Sequence, residues 1–485
     1  MTEYQNFIGG ELTASSTRRF TTHNPADARE PVATYVDAGD TDARAAVEAA
    51  LGAFPAWAAQ TPIARGRILS KASQLIESKK ADLAKLLTRE EGKTLAESTG
   101  EVQRAADIFR FFGGISYTLA GTTIPHDLPG NLLYTRREPL GVVGLITPWN
   151  FPIAIPVWKL APALLCGNTV VLKPSPIAPT LSFEVAAILK EAGLPAGVLN
   201  VITGEGAAAG QALAAHPKVA AVSFTGSYKV GSQVYQQLAP RMARAQIEMG
   251  GKNPTIVLAD ADLELAANLI VRAGFGLTGQ ACTATSRVIV EKAVAAPLLE
   301  KLVAKAKAFK VGNGLEAGID MGPIVSKLQL EKVLGHISSA QADGAKLITG
   351  GNRLTDGAYA HGNFVQPTVF TDVKPEMKIA SEEVFGPVVA VIAANSFDHA
   401  IQIANGVDVG LSASIVTRDL KKAMQYSERI EAGVVKINQI STGLALQAPF
   451  GGVKQSSTDS FKEQGASAVE FYSKIKTIYL DYSVG

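Results

Sequence analysis

Apolar residues recur three and four positions apart from about residue 40 to residue 110, and the pattern then changes character. Within that stretch, "DARAAVEAALGAFPAWAA", with Asp40 or Thr41 as its cap, and "RGRILSKASQLIESKKADLAKLLTREEG" each keep an apolar face, which predicts amphipathic helices. The following "GTTIPHDLPGNLLYTRREPLGVVGLITPWN" sets Pro-Gly and Gly-Asn turn signals between alternating segments, so residues 120–140 read as a projecting hairpin.

Short β-rich runs then alternate with helical ones. "GVVGLIT" (141–147), "TVVLKPS" (169–175), "GVLNVITG" (197–204) and "AAVSFTG" (220–226) are separated by helical stretches such as 182–193 and 208–216. That alternation predicts a parallel sheet with helices on its faces. A second series starts at "TIVLA" (255–259) and continues through "SRVIVE", "AKLIT", "FVQPTVF", "PVVAVIA", "SASIVT" and "GVVKIN", which predicts a second α/β domain. The tail "FYSKIKTIYLDY" (471–482) alternates again and has no partner nearby in sequence; the 120–140 hairpin is its expected one. No internal repeat or low-complexity segment interrupts this order.

Composition narrows the class. A chain of 485 residues is too long for one ordinary core, so two or more domains are expected. Lys plus Arg is 46 against 44 Asp plus Glu, and this near balance gives no reason to expect nucleic acid or a membrane surface as partner. Residues 1–10 hold no apolar run, and no stretch approaches eighteen uninterrupted apolar residues, so neither a secretory signal nor a membrane span is expected. Two cysteines, Cys166 and Cys282, offer no disulfide framework, and a cytoplasmic, reducing location is expected.

Four segments carry candidate chemistry. In "FGLTGQACTATSRVIV" (275–290), Cys282 follows Gly279-Gln280 on a tight loop where a thiol could face a cleft; a small buried hydrophobe is the bland alternative, and Cys166 fits that alternative. In "IEMGGKNPTIVLAD" (247–260), Glu248 precedes two glycines and a strand, as a carboxylate that could activate water or as a turn residue at the surface. In "TPWNFP" (147–152), Asn150 follows the carboxyl end of a strand, where open α/β sheets bind ligands; it is an oxyanion donor or a turn residue. In "SFTGSYKVG" (223–231), a glycine turn opens a helix after a strand, as pyrophosphate sites do, and "GEGAAAG" (204–210) is a near-miss to the dinucleotide fingerprint.

The order and spacing of these four, with "EEVFGPV" (382–388) and "PFGGVK" (449–454) downstream, resemble the aldehyde dehydrogenase superfamily across essentially the whole chain. The resemblance implies an α/β fold with a Rossmann-type cofactor domain (1–119 and 141–248), an α/β catalytic domain (249–448) and a small β oligomerisation element (120–140 and 449–485). It implies Cys282 as nucleophile, Glu248 as general base (with Met249 where the motif usually has Leu) and Asn150 as oxyanion donor. It places Lys173 at the adenosine ribose, Gly226 and Ser227 at the pyrophosphate, and Glu383 with Phe385 at the nicotinamide ribose. Ile146, Thr147, Trp149, Ser175, Gly206, Phe224, Val230, Met249 and Gly250 complete the expected cofactor surface, and no metal is expected. Members that prefer NAD usually carry glutamate three residues after the lysine; Pro176 stands there, which favours NADP, with NAD possible.

The C-terminal run "GLALQAPFGGVKQSSTDSFKEQGASAVEFYSKIKTIYL" resembles the branch that oxidises α-ketoglutarate semialdehyde. Trp158 and Gly276 stand where succinate-semialdehyde dehydrogenases place arginines, which counts against that substrate. Arg104 is a candidate for the substrate carboxylate, or a helix-surface arginine pairing with Glu101 or Asp107. Phe151, Leu444 and Phe450 are expected apolar tunnel walls, which an aliphatic or aromatic aldehyde would also fit. Glu248 speaks against transfer of the acyl group to coenzyme A, and the intact reactive set speaks against a non-catalytic relative. A homodimer or homotetramer is expected.

Overall fold

The computed structural model describes residues 2–14, 16–205 and 207–483. The periodic stretch after residue 40 forms four helices, Asp40–Ala58, Pro62–Ser78, Lys80–Glu91 and Leu95–Ile115. Thr94 caps the last of them through a reciprocal box with Glu97, which satisfies two of its orphan donors.

The first strand series forms a seven-stranded sheet. Its five parallel strands run, across the sheet, Arg244–Met249, Val219–Gly226, Val142–Thr147, Thr169–Pro174 and Leu199–Val201. In chain order this is 5-4-1-2-3, the doubly wound arrangement, and the direction of winding reverses between Val142–Thr147 and Val219–Gly226. Two antiparallel N-terminal strands, Asn6–Ile8 and Glu11–Thr13, extend the edge. The second series forms another seven-stranded sheet, with Pro254–Val257 central between Arg287–Glu291 and Ser412–Val416.

The tail strand Ser473–Asp481 pairs antiparallel with Asn131–Pro139 from Ser473↔Pro139 to Asp481↔Asn131, and Thr123–Ile124 completes that small sheet. Only this strand of the 449–485 segment joins the hairpin. Val453–Lys454 pairs instead with Val409–Gly410, and Phe471 and Tyr472 are buried in the core of the first unit. The reason is local: residues 468–472 form a short helix whose apolar side chains pack on the helix Ala154–Leu165, and the strand pattern starts only after it. No helix among the described residues is long and apolar enough to cross a membrane.

Candidate active site

A cavity of about 520 Å³ opens at the carboxyl ends of Val142–Thr147 and Val219–Gly226, at the point where the winding reverses. Asn150, Glu248 and Cys282 all line it, brought from three separate stretches of chain.

Asn150 follows its strand by a Pro-Trp turn and is buried. Its side-chain amide donates one hydrogen to Gln280 O at 3.0 Å, which leaves the second for a ligand. Cys282 follows a loop in which Leu277 and Thr278 hold φ of 54° and 55°, a left-handed conformation that costs a non-glycine residue about 1–3 kcal/mol. Surrounding contacts hold the loop: Leu277 N donates to Glu97 Oε1 at 2.7 Å and Thr278 Oγ1 to Gly322 O at 3.1 Å. Asn253 fixes the main chain of Cys282, its Nδ2 donating to Cys282 O at 2.7 Å and Ala284 O at 2.9 Å.

The charges here are unusual. Burial pushes the Cys282 thiol up to about 12, and the carboxyls of Glu383, Glu248 and Glu463 push it the same way. Glu248 is also raised well above the usual carboxylate range, first by burial and then by Glu463. Its carboxyl accepts from Gly452 N at 2.9 Å and from Ser457 Oγ at 2.8 Å. Glu463 itself is engaged by the buried ammonium of Lys159. A thiol, a carboxyl raised above its usual range and an amide donor around one space can add sulfur to a carbonyl, hold the oxyanion and activate water.

The remainder of the cavity has the shape of a dinucleotide site. Lys173, Ser175 and Pro176 form one end; burial lowers the Lys173 ammonium to about 8. Gly226 and Ser227 lead into the helix Tyr228–Leu238, whose first turn has no side-chain cap among the described residues; Val230 N donates to Ser227 O at 3.2 Å, which leaves the amides of Tyr228 and Lys229 for a phosphate. At the other end Glu383 lies over Gly250, where a Cβ would meet its Oε2 at 2.1 Å. Phe385 holds φ of 54° and stands edge-on to Trp149 at 5.2 Å between centroids. Burial raises Glu383 to about 7. Thr147, Thr225 and Trp158 line the same cavity, and their Oγ1, Oγ1 and Nε1 atoms are buried without hydrogen-bond partners among the described residues.

Ile146, Phe224, Val230, Met249 and Phe450 also line the cavity. Gly206 lies outside the described residues. Phe151, Leu444 and Arg104 do not line it. Phe151 packs instead under the ammonium of Lys93, and Arg104 makes no ion pair with Glu101 or Asp107: its guanidinium donates to Leu444 O at 2.5 Å and Gln464 Oε1 at 2.6 Å. Sequence reasoning missed Gln329, Lys332 and His336, which line the cavity from one helix, Lys327–Ala342. Their spacing of three and four was the available signal. Cys166 is buried in the first core with its thiol raised to about 12 by burial.

Fold and site together have the layout of a dinucleotide-dependent oxidoreductase with a thiol at its reacting centre. A model of the aldehyde dehydrogenase family matches residues 12–478, and the chain belongs to that family. It is 49% identical over 479 residues to the alpha-ketoglutarate semialdehyde dehydrogenase of Haloferax volcanii, covering 99% of each chain. It is 46% identical over 478 residues to the alpha-ketoglutaric semialdehyde dehydrogenase of Bacillus subtilis, covering 98% of each. The structure of an NAD-dependent aldehyde dehydrogenase from Sinorhizobium meliloti matches with a TM-score of 0.96 at 36% identity, covering 100% of this chain and 96% of that one.

Proposed function

We propose that this NAD(P)-dependent aldehyde dehydrogenase oxidises α-ketoglutarate semialdehyde, or a close carboxylated semialdehyde, with NADP preferred over NAD. The observation that carries the substrate is Arg104. Its side chain is half-buried, burial lowers its pKa, and its hydrogen-bond partners are both neutral. No acid lies within ion-pair distance of it among the described residues; Asp107 favours its charge only through space, and an anionic substrate reaching the Leu444 loop would add a direct partner. The Haloferax and Bacillus relatives carry names that fit this reading.

Chemistry follows from the three residues at the centre. Cys282 gives its thiol proton to solvent and adds as the thiolate to the aldehyde carbon, and the charge that builds on oxygen is held by Asn150 Nδ2 and the Cys282 backbone N–H; losing one such donor typically costs roughly 10²–10³ in rate. A bound nicotinamide, which Glu383, Phe385 and Trp149 would hold, would supply the acceptor for the aldehyde's hydride. The acyl group is left as a thioester on Sγ, and Glu248 takes the proton of the water that hydrolyses it. The cofactor preference rests on the adenosine end, where Lys173 and Ser175 stand beside Pro176; the acids lining the cavity, Glu248 and Glu383, are at the other end among the described residues.

The tail strand exposes Ile475, Tyr479 and Leu480, an apolar edge suited to a second copy of the chain, so a homodimer or homotetramer belongs to this proposal. Domain limits at residues 119, 140 and 248 and a cytoplasmic location belong to it too. The test is a kcat/KM panel of α-ketoglutarate semialdehyde, succinate semialdehyde, propanal and benzaldehyde, each with NADP and NAD. Preference for the first supports the proposal; equal or better use of propanal would discard the carboxylate reading and keep the Cys282 mechanism.

A further inference from the structure

Beneath the Asn150 turn lies a buried ion pair that takes no part in the chemistry described so far. Lys93, between the helices Lys80–Glu91 and Leu95–Ile115, is 2% exposed, and Glu101, on the second of them, is 5% exposed. Lys93 Nζ lies 2.5 Å from Glu101 Oε2. It also donates to Asn150 O at 2.7 Å and stands 4.6 Å from the centroid of the Phe151 ring. The other oxygen, Glu101 Oε1, accepts from Ile153 N and Ala154 N, both at 3.1 Å. Those amides open the helix Ala154–Leu165, which has no side-chain cap of its own among the described residues. One ion pair therefore grips the main chain on both sides of Asn150–Phe151.

Burying two charges is a poor route to stability. Desolvation costs each ion several kcal/mol, and replacing such a pair with apolar residues of similar volume is often neutral or stabilising. Burial works against the Lys93 charge, yet Glu101 and Glu91 more than offset it and hold the lysine protonated. What the pair supplies that two apolar side chains would not is a donor at one fixed main-chain oxygen and an acceptor at two fixed amides. With the main chain of Asn150 held by Lys93 and one side-chain hydrogen held by Gln280 O, the remaining amide hydrogen has a set direction.

We propose that Lys93 and Glu101 are positioning residues that aim the Asn150 side-chain amide at the oxygen of the reacting aldehyde. The inference rests on Asn150 being the oxyanion donor. It does not depend on which aldehyde is the physiological one.

The experiment uses the full chain with saturating NADP and propanal, and reads the pre-steady-state burst of reduced nicotinamide. Three variants are compared: Asn150→Ala, the doubly apolar Lys93→Met with Glu101→Leu, and the triple combination. The doubly apolar variant is expected to lose about 10²-fold in burst rate while cofactor Kd stays within twofold, the size of effect that losing an oxyanion donor has. Added to Asn150→Ala it should cost less than threefold more, because residues acting as one unit are not additive. A wild-type burst rate in the doubly apolar variant, or the same 10²-fold loss on top of Asn150→Ala, would overturn the inference. A wild-type burst in Asn150→Ala alone would instead overturn the oxyanion assignment. If the doubly apolar chain does not fold, Glu101→Gln replaces it: the amide oxygen still accepts from residues 153 and 154 while the hold on Lys93 is weakened. A roughly tenfold burst loss that disappears in the Asn150→Ala background is then expected, and an unchanged burst rejects the proposal.

Discussion

The carboxyl of Glu248 is held by the hydroxyl of Ser457, 209 positions away in sequence and 2.8 Å away in space. That bond, with the one from Gly452 N, partly counters the burial that raises Glu248. Ser457→Ala should therefore raise the Glu248 pKa further. A base acts when deprotonated, so the alkaline-rising limb of the kcat–pH profile is expected to move to higher pH. A limb that stays in place or moves to lower pH would show that Ser457 does not tune this carboxyl.

Glu248→Gln separates the two half-reactions. The burst of reduced nicotinamide should persist at about one equivalent per site, while steady-state turnover falls by roughly 10²–10⁴, the usual contribution of a general base. Loss of the burst itself would place Glu248 before the thioester.

The Cys282 thiol, raised to about 12 by burial and by the three carboxyls around it, is almost wholly protonated near neutrality in the unliganded protein. Only the thiolate reacts with iodoacetamide. Inactivation should accelerate about tenfold per pH unit from pH 8 to pH 10 without a plateau; a plateau below pH 9 would show an ordinary or activated thiol.

Arg104→Ala should lower kcat/KM for a carboxylated aldehyde by about 10–100-fold, the worth of a hydrogen bond to a charged group. Propanal should be affected less than threefold. Equal losses for both would mean that Arg104 serves only to hold Leu444 and Gln464.

Pro176→Glu puts an acid at the adenosine end. NADP should lose about tenfold or more in kcat/KM through repulsion of its 2′-phosphate, with NAD retained; parallel losses would remove the basis of the NADP preference.

What the sequence made legible was what repeats within a short window. The helices after residue 40 and the parallel strands of both sheets carry continuous periodicity, and the strand Val219–Gly226 lies within one residue of its expected start. Of the unread N-terminal strands, Thr2–Tyr4, Asn6–Ile8 and Glu11–Thr13 are three residues each, too short for alternation to show, whereas Arg19–Asn24 and Asp27–Val36 were long enough and went unread all the same. Cys282, Glu248 and Asn150 were legible as motifs. The grip of Lys93 on Asn150 was not, because 57 positions separate the two and only the packing of helices against the first sheet brings them together. Gln329, Lys332 and His336 sat unremarked in an amphipathic helix whose polar face reads as solvent-exposed until the cavity beside it is seen.

The chain passes from the first unit to the second at Gly250-Gly251 and then comes back. On its return, Ser456 O accepts from Met249 N at 2.8 Å, while its hydroxyl donates to Gly250 O at 2.8 Å and accepts from Gly410 N at 3.0 Å. Gln455 N donates to Asp408 O in the second unit, and Phe450 pairs with Glu463 against the first. The crossing is thus sewn shut by a second strand of chain. Two lobes joined in this way are tied at a second point beside the covalent crossing, a geometry that resists opening like a jaw. The more firmly they are tied, the more selectivity falls to whatever lines the entrances of the cavity.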